Sequence, residues 1–412
     1  MNKAKLNKLE LIVLNYFGKD YKLIPKVESS LLELREKVNA LYLDSNNIKK
    51  EKLDISFFIL VRGFIDLILI IAKEKFDKIE FLDLLIEIGK ALIDLAAYSL
   101  ARVIFEKALS MSEDDKKLVD FKANIYFYLG NLFYKQAIWK NAIDYLTRAN
   151  KIFSEIKFVE GIVKSFNSLG VLSGERGDFL KAQNYFNECL KLLDSKSLNL
   201  LQGLVQENIA LTLLAKSDYD MSFVQFNRAL AIFESLSDFE HLAEIRYNIG
   251  LNYLLKKNYE YALSEFDNSL NISFKAENVR ILNFNLSAKA NAYAFLNDFD
   301  QSFAFLNKSM DLSTAINDRL TIADLYKIKG ILSKKLKKKK KAEKDFLTSL
   351  RLNEELENKF NYFETMFELG LLYKEWGKND LAKEKLIKAL NYKTKIGAEN
   401  AAKNINHELK EL

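Results

Sequence analysis

Proline occurs once in this chain of 412 residues, at Pro25, and glycine only 14 times. Sandwiches, barrels and doubly wound sheets of this length need many turns, and turns draw on both residues. Their scarcity excludes those folds and favours long helices joined by short connections. Cysteine also occurs once, at Cys189, so no internal disulfide framework can form. One cysteine and two histidines leave no set of ligands for a structural zinc. Long apolar runs are missing too. The most apolar stretch, Phe57 to Ala72, contains Arg62, Gly63 and Asp66. It falls short of the ~18–20 residues that cross a bilayer, and it reads as a buried core helix. The N-terminal lysines are followed by apolar residues that Glu10 interrupts, without a small-residue cleavage site. The segment reads as a helix and not as a signal peptide, and the expected location is the cytoplasm.

What the sequence does have is a period. Gly89, Gly130, Gly170, Gly250, Gly330 and Gly370 are spaced by 41, 40, 80, 80 and 40 residues, and Ala210 and Ala290 fill the two gaps. Three further columns move in phase. Twelve residues on stand Ala101, Ala142, Ala182, Ser222, Ala262, Ser302, Ala342 and Ala382. Sixteen on stand Phe105, Leu146, Phe186, Phe226, Phe266, Leu306, Phe346 and Leu386. Nineteen on stand Ala108, Ala149, Cys189, Ala229, Ser269, Ser309, Ser349 and Ala389. A small residue inside a helix admits a close neighbour. The small–large–small spacing of four and three residues places the other columns on one face of a second helix.

Each unit therefore holds a helix A and a helix B. Between them lies a short turn ending in an aromatic residue, as in Gly177-Asp178-Phe179 and Asn297-Asp298-Phe299. The Asp/Asn of that turn suits the start of helix B, and Asp238, Asn278, Asp318 and Asn358 suit the start of helix A. Some units carry polar residues at apolar positions: Gln206, Arg246, Lys289 and Lys329. They predict either looser local packing or a face turned towards a ligand.

With these columns in view, the chain resembles the tetratricopeptide repeat, in which a small residue is followed by Ala, Phe and Ala-Leu. The 40-residue spacing resembles the longer repeats of Pins/LGN adaptors, kinesin light chains and bacterial signalling and peptide-sensing proteins. The resemblance implies an all-α, right-handed α-solenoid of about eight helix pairs, with an N-terminal helical segment. The expected organisation is a helical cap or small module over 1–80, eight repeats over 81–396, and a capping helix over 397–412. Residues 1–80 read as helices at roughly 4–17, 26–43 and 55–76, with a polar loop at Asp44-Ser45-Asn46-Asn47.

Catalysis has little raw material. Cys189 stands in a small-residue column and reads as an inert buried side chain. His241 and His407 have no partners at ligand spacing, and GERGD at 174–178 lacks a phosphate-binding pattern. No enzyme, metal or cofactor is expected. Stacked helix pairs build an extended binding surface instead. The resemblance to kinesin light chain implies that asparagines on the A helices hold an extended peptide backbone. Asn208 and Asn248 share one column, Asn131 and Asn291 another, and Asn167 joins them as a candidate. An amide offers both donor and acceptor, as a peptide bond requires.

The expected partner is a protein or peptide segment, and the expected function is that of an adaptor or scaffold. The alternative is a regulator switched by a small peptide, with the layout of Rap-like sensors. Net charge is +6, and one run, Lys337, Lys338, Lys339, Lys340 and Lys341, supplies much of it. The run is a candidate patch for an anionic partner, although no aromatic residues interleave with it as nucleotide stacking requires.

Overall fold

The computed structural model describes residues 11–12, 15–17 and 50–412, apart from 96, 114, 137, 194–198, 277 and 317. Of the expected N-terminal helices, the first is described only at 11–12 and 15–17, which are helical, and the third corresponds to α1 (Lys50–Lys75), which starts five residues earlier and ends one earlier than expected. The expected helix at 26–43 and the loop at 44–47 lie outside the described residues. Eight helix pairs follow. They are α2 (Lys78–Asp94) with α3 (Tyr98–Ser112), α4 (Val119–Lys135) with α5 (Trp139–Glu155), and α6 (Val159–Glu175) with α7 (Phe179–Leu193). Next come α8 (Asn199–Ala215) with α9 (Tyr219–Leu236), α10 (Phe239–Leu255) with α11 (Tyr259–Lys275), and α12 (Val279–Leu296) with α13 (Phe299–Ile316). The last are α14 (Arg319–Lys335) with α15 (Lys339–Glu355) and α16 (Lys359–Glu375) with α17 (Asn379–Lys395), closed by α18 (Glu399–Lys410). The fold is an all-α solenoid of consecutive helix pairs, and the described residues contain no strand.

The columns explain the pairing. A Cβ added at Gly250 would lie 2.5 Å from the Phe266 ring, at Gly330 2.5 Å from Phe346, and at Gly130 2.6 Å from Leu146. Each glycine therefore seats the large residue of its own B helix, sixteen positions on. The two units with alanine in this place differ also at position twelve, which is serine. Ser222 Oγ donates to the Ala210 carbonyl at 2.8 Å, and Ser302 Oγ to that of Ala290 at 2.6 Å. The Ala–Ser combination replaces Gly–Ala as a coupled pair.

The turns repeat as regularly. The A–B turn places one residue in the left-handed region at Gly177, Ser217, Lys257, Asn297, Lys337 and Gly377, every 40 residues. The next residue caps helix B through its side chain at Asp178, Asp218 and Asp298, while Asn258 makes no such bond. Asp238, Asn278, Asp318 and Asn358 each accept the N3 backbone N–H of their A helix, as their column predicted.

Two compact units divide the chain, 1–172 and 173–412. Within the second, the end meets the beginning. Ile396 and Ala398, in the turn before α18, pack on Phe179 and Ala215. Asn400 Nδ2 donates to the Ser217 carbonyl at 3.2 Å.

Three of the four polar intrusions find partners. Arg246 spans Glu234 and Glu265, both at 3.1 Å. Lys289 pairs with Asp267 and lies over the Phe305 ring, and Lys329 lies over that of Tyr326. Gln206 is buried, its Oε1 without a protein partner.

Candidate functional site: the A-helix face of residues 173–412

In this unit α8, α10, α12, α14 and α16 touch one another in succession, so residues at equal positions on them form rows. Two rows, three and six residues before the small column, carry most of the chemistry. The first holds Glu207, Tyr247, Ser287, Lys327 and Phe367; the second holds Leu204, Glu244, Phe284, Asp324 and Glu364.

Helix α8 presents Glu207, which is only 5% exposed. Its Oε1 accepts Asn248 Nδ2 from α10 at 2.8 Å, and Asn248 is itself buried. Burial and the like charge of Glu244 push the Glu207 carboxyl up to about 8, against the opposing effect of the Asn248 bond. Tyr247 lies on the same turn of α10 as Glu244. Burial, Asp324, Glu244 and Asp318 raise its hydroxyl pKa, with Arg280 opposing. Its ring packs on Phe284 at 5.7 Å and on Phe266 at 5.9 Å. This end of the face is acidic.

The other end is compensated. Lys327 Nζ donates to Asp324 Oδ1 at 3.1 Å. Despite desolvation, Asp324 and Glu364 keep the Lys327 ammonium above its usual range. Burial disfavours the Glu364 carboxylate, yet Lys393 and then Lys327 hold it below the usual range. Lys334 pairs with Glu368 at 2.8 Å. Tyr219 and Tyr392, from other parts of the unit, both lie within electrostatic range of Glu364.

The expected asparagines fall in different settings. Asn248 is the donor to Glu207. Asn208 is half-buried, and the carbonyl of its own residue accepts Thr212 Oγ1. Asn291 is half-buried, with Oδ1 enclosed and without a protein partner. Asn131 and Asn167, both half-buried, belong to the first unit. Asn208 and Asn248 thus meet the rows above at neighbouring positions. Glu207, Glu244, Tyr247 and Asp324 were missed, because their rows hold no constant residue type. Their signal was positional: the 40-residue register that picked out Asn208 and Asn248, moved by one residue for Glu207 and Tyr247 and by four for Glu244 and Asp324.

The lysine run lies elsewhere. Lys337 occupies the left-handed turn position, Lys338 precedes α15, and Lys339 donates to the Glu375 carbonyl at 2.8 Å. Lys340 lines a shallow cleft with Lys344, Leu347 and Arg351, and Lys341 is exposed. On α18, His407, Glu408 and Glu411 come together, but Lys374 Nζ already sits between Glu408 at 2.8 Å and Glu411 at 2.6 Å. Cys189 is buried, and desolvation pushes its thiol up to about 12, away from nucleophilic use. Among the described residues no helix is long and apolar enough to cross a membrane.

Residues 363–395 match the family described as tetratricopeptide repeat. No curated protein sequence matches the chain. Solved structures do. A Rap protein complexed with competence and sporulation factor matches with a TM-score of 0.61 at 14% identity, over 90% of this chain and 99% of that one. Aspartyl phosphate phosphatase F from Bacillus subtilis matches with a TM-score of 0.59 at 14% identity, over 87% and 93%. The Rap conjugation gene regulator of plasmid pLS20, in complex with the Phr* peptide, matches with a TM-score of 0.56 at 16% identity, over 78% and 97%. At these identities the likeness is one of fold. Together with the columns, it makes the chain a helical repeat protein of tetratricopeptide type.

Proposed function

We propose that the chain binds a peptide or an extended protein segment against its A helices and acts as an adaptor or scaffold, without catalysis of its own. The observation that carries this reading is the row structure of residues 173–412. Donors, acceptors and charges recur there at the spacing of successive A helices, which suits an extended ligand lying across them. Asn131, Asn167, Asn208, Asn248 and Asn291 are the proposed contacts to ligand backbone, and side chains of the adjoining rows select among ligands. Two fold neighbours are in complex with a factor or a peptide, which supports the same reading.

Capture of partners from source-cell lysate, with the wild type beside the Asn208→Ala/Asn248→Ala double variant, tests it. A partner held by the wild type and lost by the folded variant is the expected result. A partner retained by both would move the site off this face.

A second reading is favoured by the packing of Ile396 and Ala398 on Phe179 and Ala215. A ligand that alters this contact would make the protein a peptide-responsive regulator acting through protein contact. Small-angle scattering that changes on ligand binding supports it; unchanged scattering with bound ligand removes it.

A further inference from the structure

From α9 onward the B helices carry an acid at one position of the first turn, ten residues past the small column. It is Asp220 on α9, Glu260 on α11, Asp300 on α13 and Asp380 on α17. An acid there complements the positive end of the helix dipole. Of these helices α15 alone inverts the position, with Lys340, and its first turn holds no acid. The inversion continues along the helix. Four residues on stand Val224, Ser264, Ala304 and Glu384, but Lys344 on α15; eleven on stand Ala231, Asn271, Asp311 and Asn391, but Arg351 on α15. Lys338 occupies the place from which Asp178, Asp218 and Asp298 cap their helices, and it makes no cap bond. Lys339 replaces the aromatic residue of Phe179, Tyr219, Tyr259 and Phe299. The lost cap and the lysines at the positive end of the dipole both work against α15, so stability does not account for the run.

The fold does not use these cations. Lys337, Lys338, Lys340, Lys341 and Lys344 form no ion pair with the described residues, and Arg351 has one long pair, with Glu355 at 4.0 Å. Glu343 beside them accepts the Tyr373 hydroxyl at 2.9 Å, and buried Asp345 accepts Ser333 Oγ at 3.3 Å. The contrast is Lys378, before α17, whose Nζ lies 3.6 Å from the centre of the Trp376 ring. Lys340, Lys344, Leu347, Thr348 and Arg351 line one shallow cleft. Their spacing of four, three, one and three residues makes them a single face of α15, about 16 Å long. Leu347, in the middle of that face, is 49% exposed, where α7, α9, α11 and α13 have Asn187, Asn227, Asp267 and Asn307.

We propose that this face of α15 docks an acidic amphipathic helix of a partner protein. Carboxylates of that helix meet Lys340, Lys344 and Arg351, and an apolar side chain between them covers Leu347. A helix presents its side chains at the same three- and four-residue spacing as the cleft. Nucleic acid brings phosphates but nothing apolar for Leu347, and no aromatic ring lines the cleft to stack a base. A bilayer is flat and covers a ridge better than a recess. The surface lies on a B helix, apart from the A-helix contacts proposed above. It goes beyond that reading by giving an adaptor a second place to hold a partner.

The test uses the full chain and a labelled, capped, alanine-based helical peptide, followed by fluorescence anisotropy. The peptide carries glutamates and one leucine at the spacing of Lys340, Lys344, Arg351 and Leu347. A peptide of the same composition in scrambled order, an oligothymidylate and phosphatidylserine vesicles are separate arms. The expected result is saturable, salt-sensitive binding of the ordered peptide. It should weaken at least tenfold for the scrambled peptide, for Lys340→Glu/Lys344→Glu and for Leu347→Asn, and persist in Asn208→Ala/Asn248→Ala. The substituted α15 residues are exposed, and circular dichroism confirms that the variants fold. No binding, equal binding of the two peptides, loss in the asparagine variant, or tighter binding of the oligonucleotide or the vesicles overturns the proposal. A second measurement does not depend on any probe. Lys338→Asp restores the capping acid of the other turns and should raise the melting temperature. An unmoved or lowered melting temperature would show that the lysines cost the fold nothing, and would overturn the proposal at its premise.

Discussion

Twenty-three residues past the small column the chain fills one buried position in two ways. The first unit places Ser112 there; the second to fourth place Phe153, Leu193 and Phe233; the later ones place Ser273, Ser313, Asn353 and Lys393. All eight are buried. Phe153 fills the space left by Gly161, whose added Cβ would come 2.5 Å from the ring; Phe233 fills that left by Gly203, at 2.7 Å. Phe233 also stacks on His241, with ring centroids 5.0 Å apart. The later units close the same layer with hydrogen bonds. Asn283 Nδ2 donates to Ser313 Oγ at 2.8 Å, and Ser309 Oγ donates to Asn283 Oδ1 at 2.9 Å. Asn285 Nδ2 donates to Ser269 Oγ at 2.8 Å, Ser349 and Thr365 share a bond at 3.1 Å, and Lys393 pairs with Glu364.

The difference teaches what each layer is good for. A buried Phe contributes roughly 1.5–3 kcal/mol and tolerates small displacements. A satisfied buried hydrogen bond contributes only about 0.5–1.5 kcal/mol, but an unmatched partner costs as much or more, so polar layers fix register between helices. Lys393 serves both the polar layer and the face that holds Glu364.

The largest expected effect lies in the apolar layer. Phe233→Ala opens a cavity beside Gly203 and should cost about 3–5 kcal/mol in denaturant unfolding. A cost below 1 kcal/mol would mean the layer collapses freely and the contrast is false. Gly250→Leu acts inside a repeat and not between repeats. It should cost about 1–3 kcal/mol or more by overpacking against Phe266. An unshifted melting curve would detach the small column from its aromatic partner.

In the polar layer, Asn283→Ala strands Ser309 and Ser313 and should cost about 1–3 kcal/mol. The sharper measurement is the double-variant cycle with Ser309→Ala. A coupling of roughly 0.5–3 kcal/mol is expected for residues in one network. Additive effects would show that the two bonds act separately and that no register is being fixed.

These regions were not equally legible. The period, the A–B pairs and the helix caps could be read because packing demands the same residue type at the same place in every unit. Gly250 must be small because Phe266 fills the space, and that demand recurs every 40 residues. The rows beside the proposed contacts have no such demand. Glu207, Tyr247, Ser287 and Lys327 share a position but no chemistry, so a search for constant columns passes over them. The asparagines stood out only by sharing a type. The contact between Asn400 and Ser217 spans 183 residues. It depends on the summed rotation of successive repeats, which no local pattern encodes. The polar layer was half visible: Ser269, Ser309 and Ser349 stood in a recognised column, but their partners Asn285, Asn283 and Thr365 did not.

The smallest effect separates capping from layer. Asn358 caps α16 through one backbone N–H, and Asn358→Ala should cost about 1 kcal/mol. Asn258 makes no side-chain cap bond, so Asn258→Ala should stay within about 0.5 kcal/mol. Asp318 does more than either. It accepts the Thr321 N–H at 3.1 Å and the Thr321 hydroxyl at 2.6 Å, and its Oδ2 lies 3.4 Å from Asn283 Nδ2. It therefore joins a helix start to the polar layer, and Asp318→Ala should exceed Asn358→Ala. The test is whether that excess disappears when both are measured in the Asn283→Ala background. If it does, the polar layer extends to the helix caps. If the excess survives, it belongs to the Thr321 hydroxyl alone, and the layer ends at Asn283.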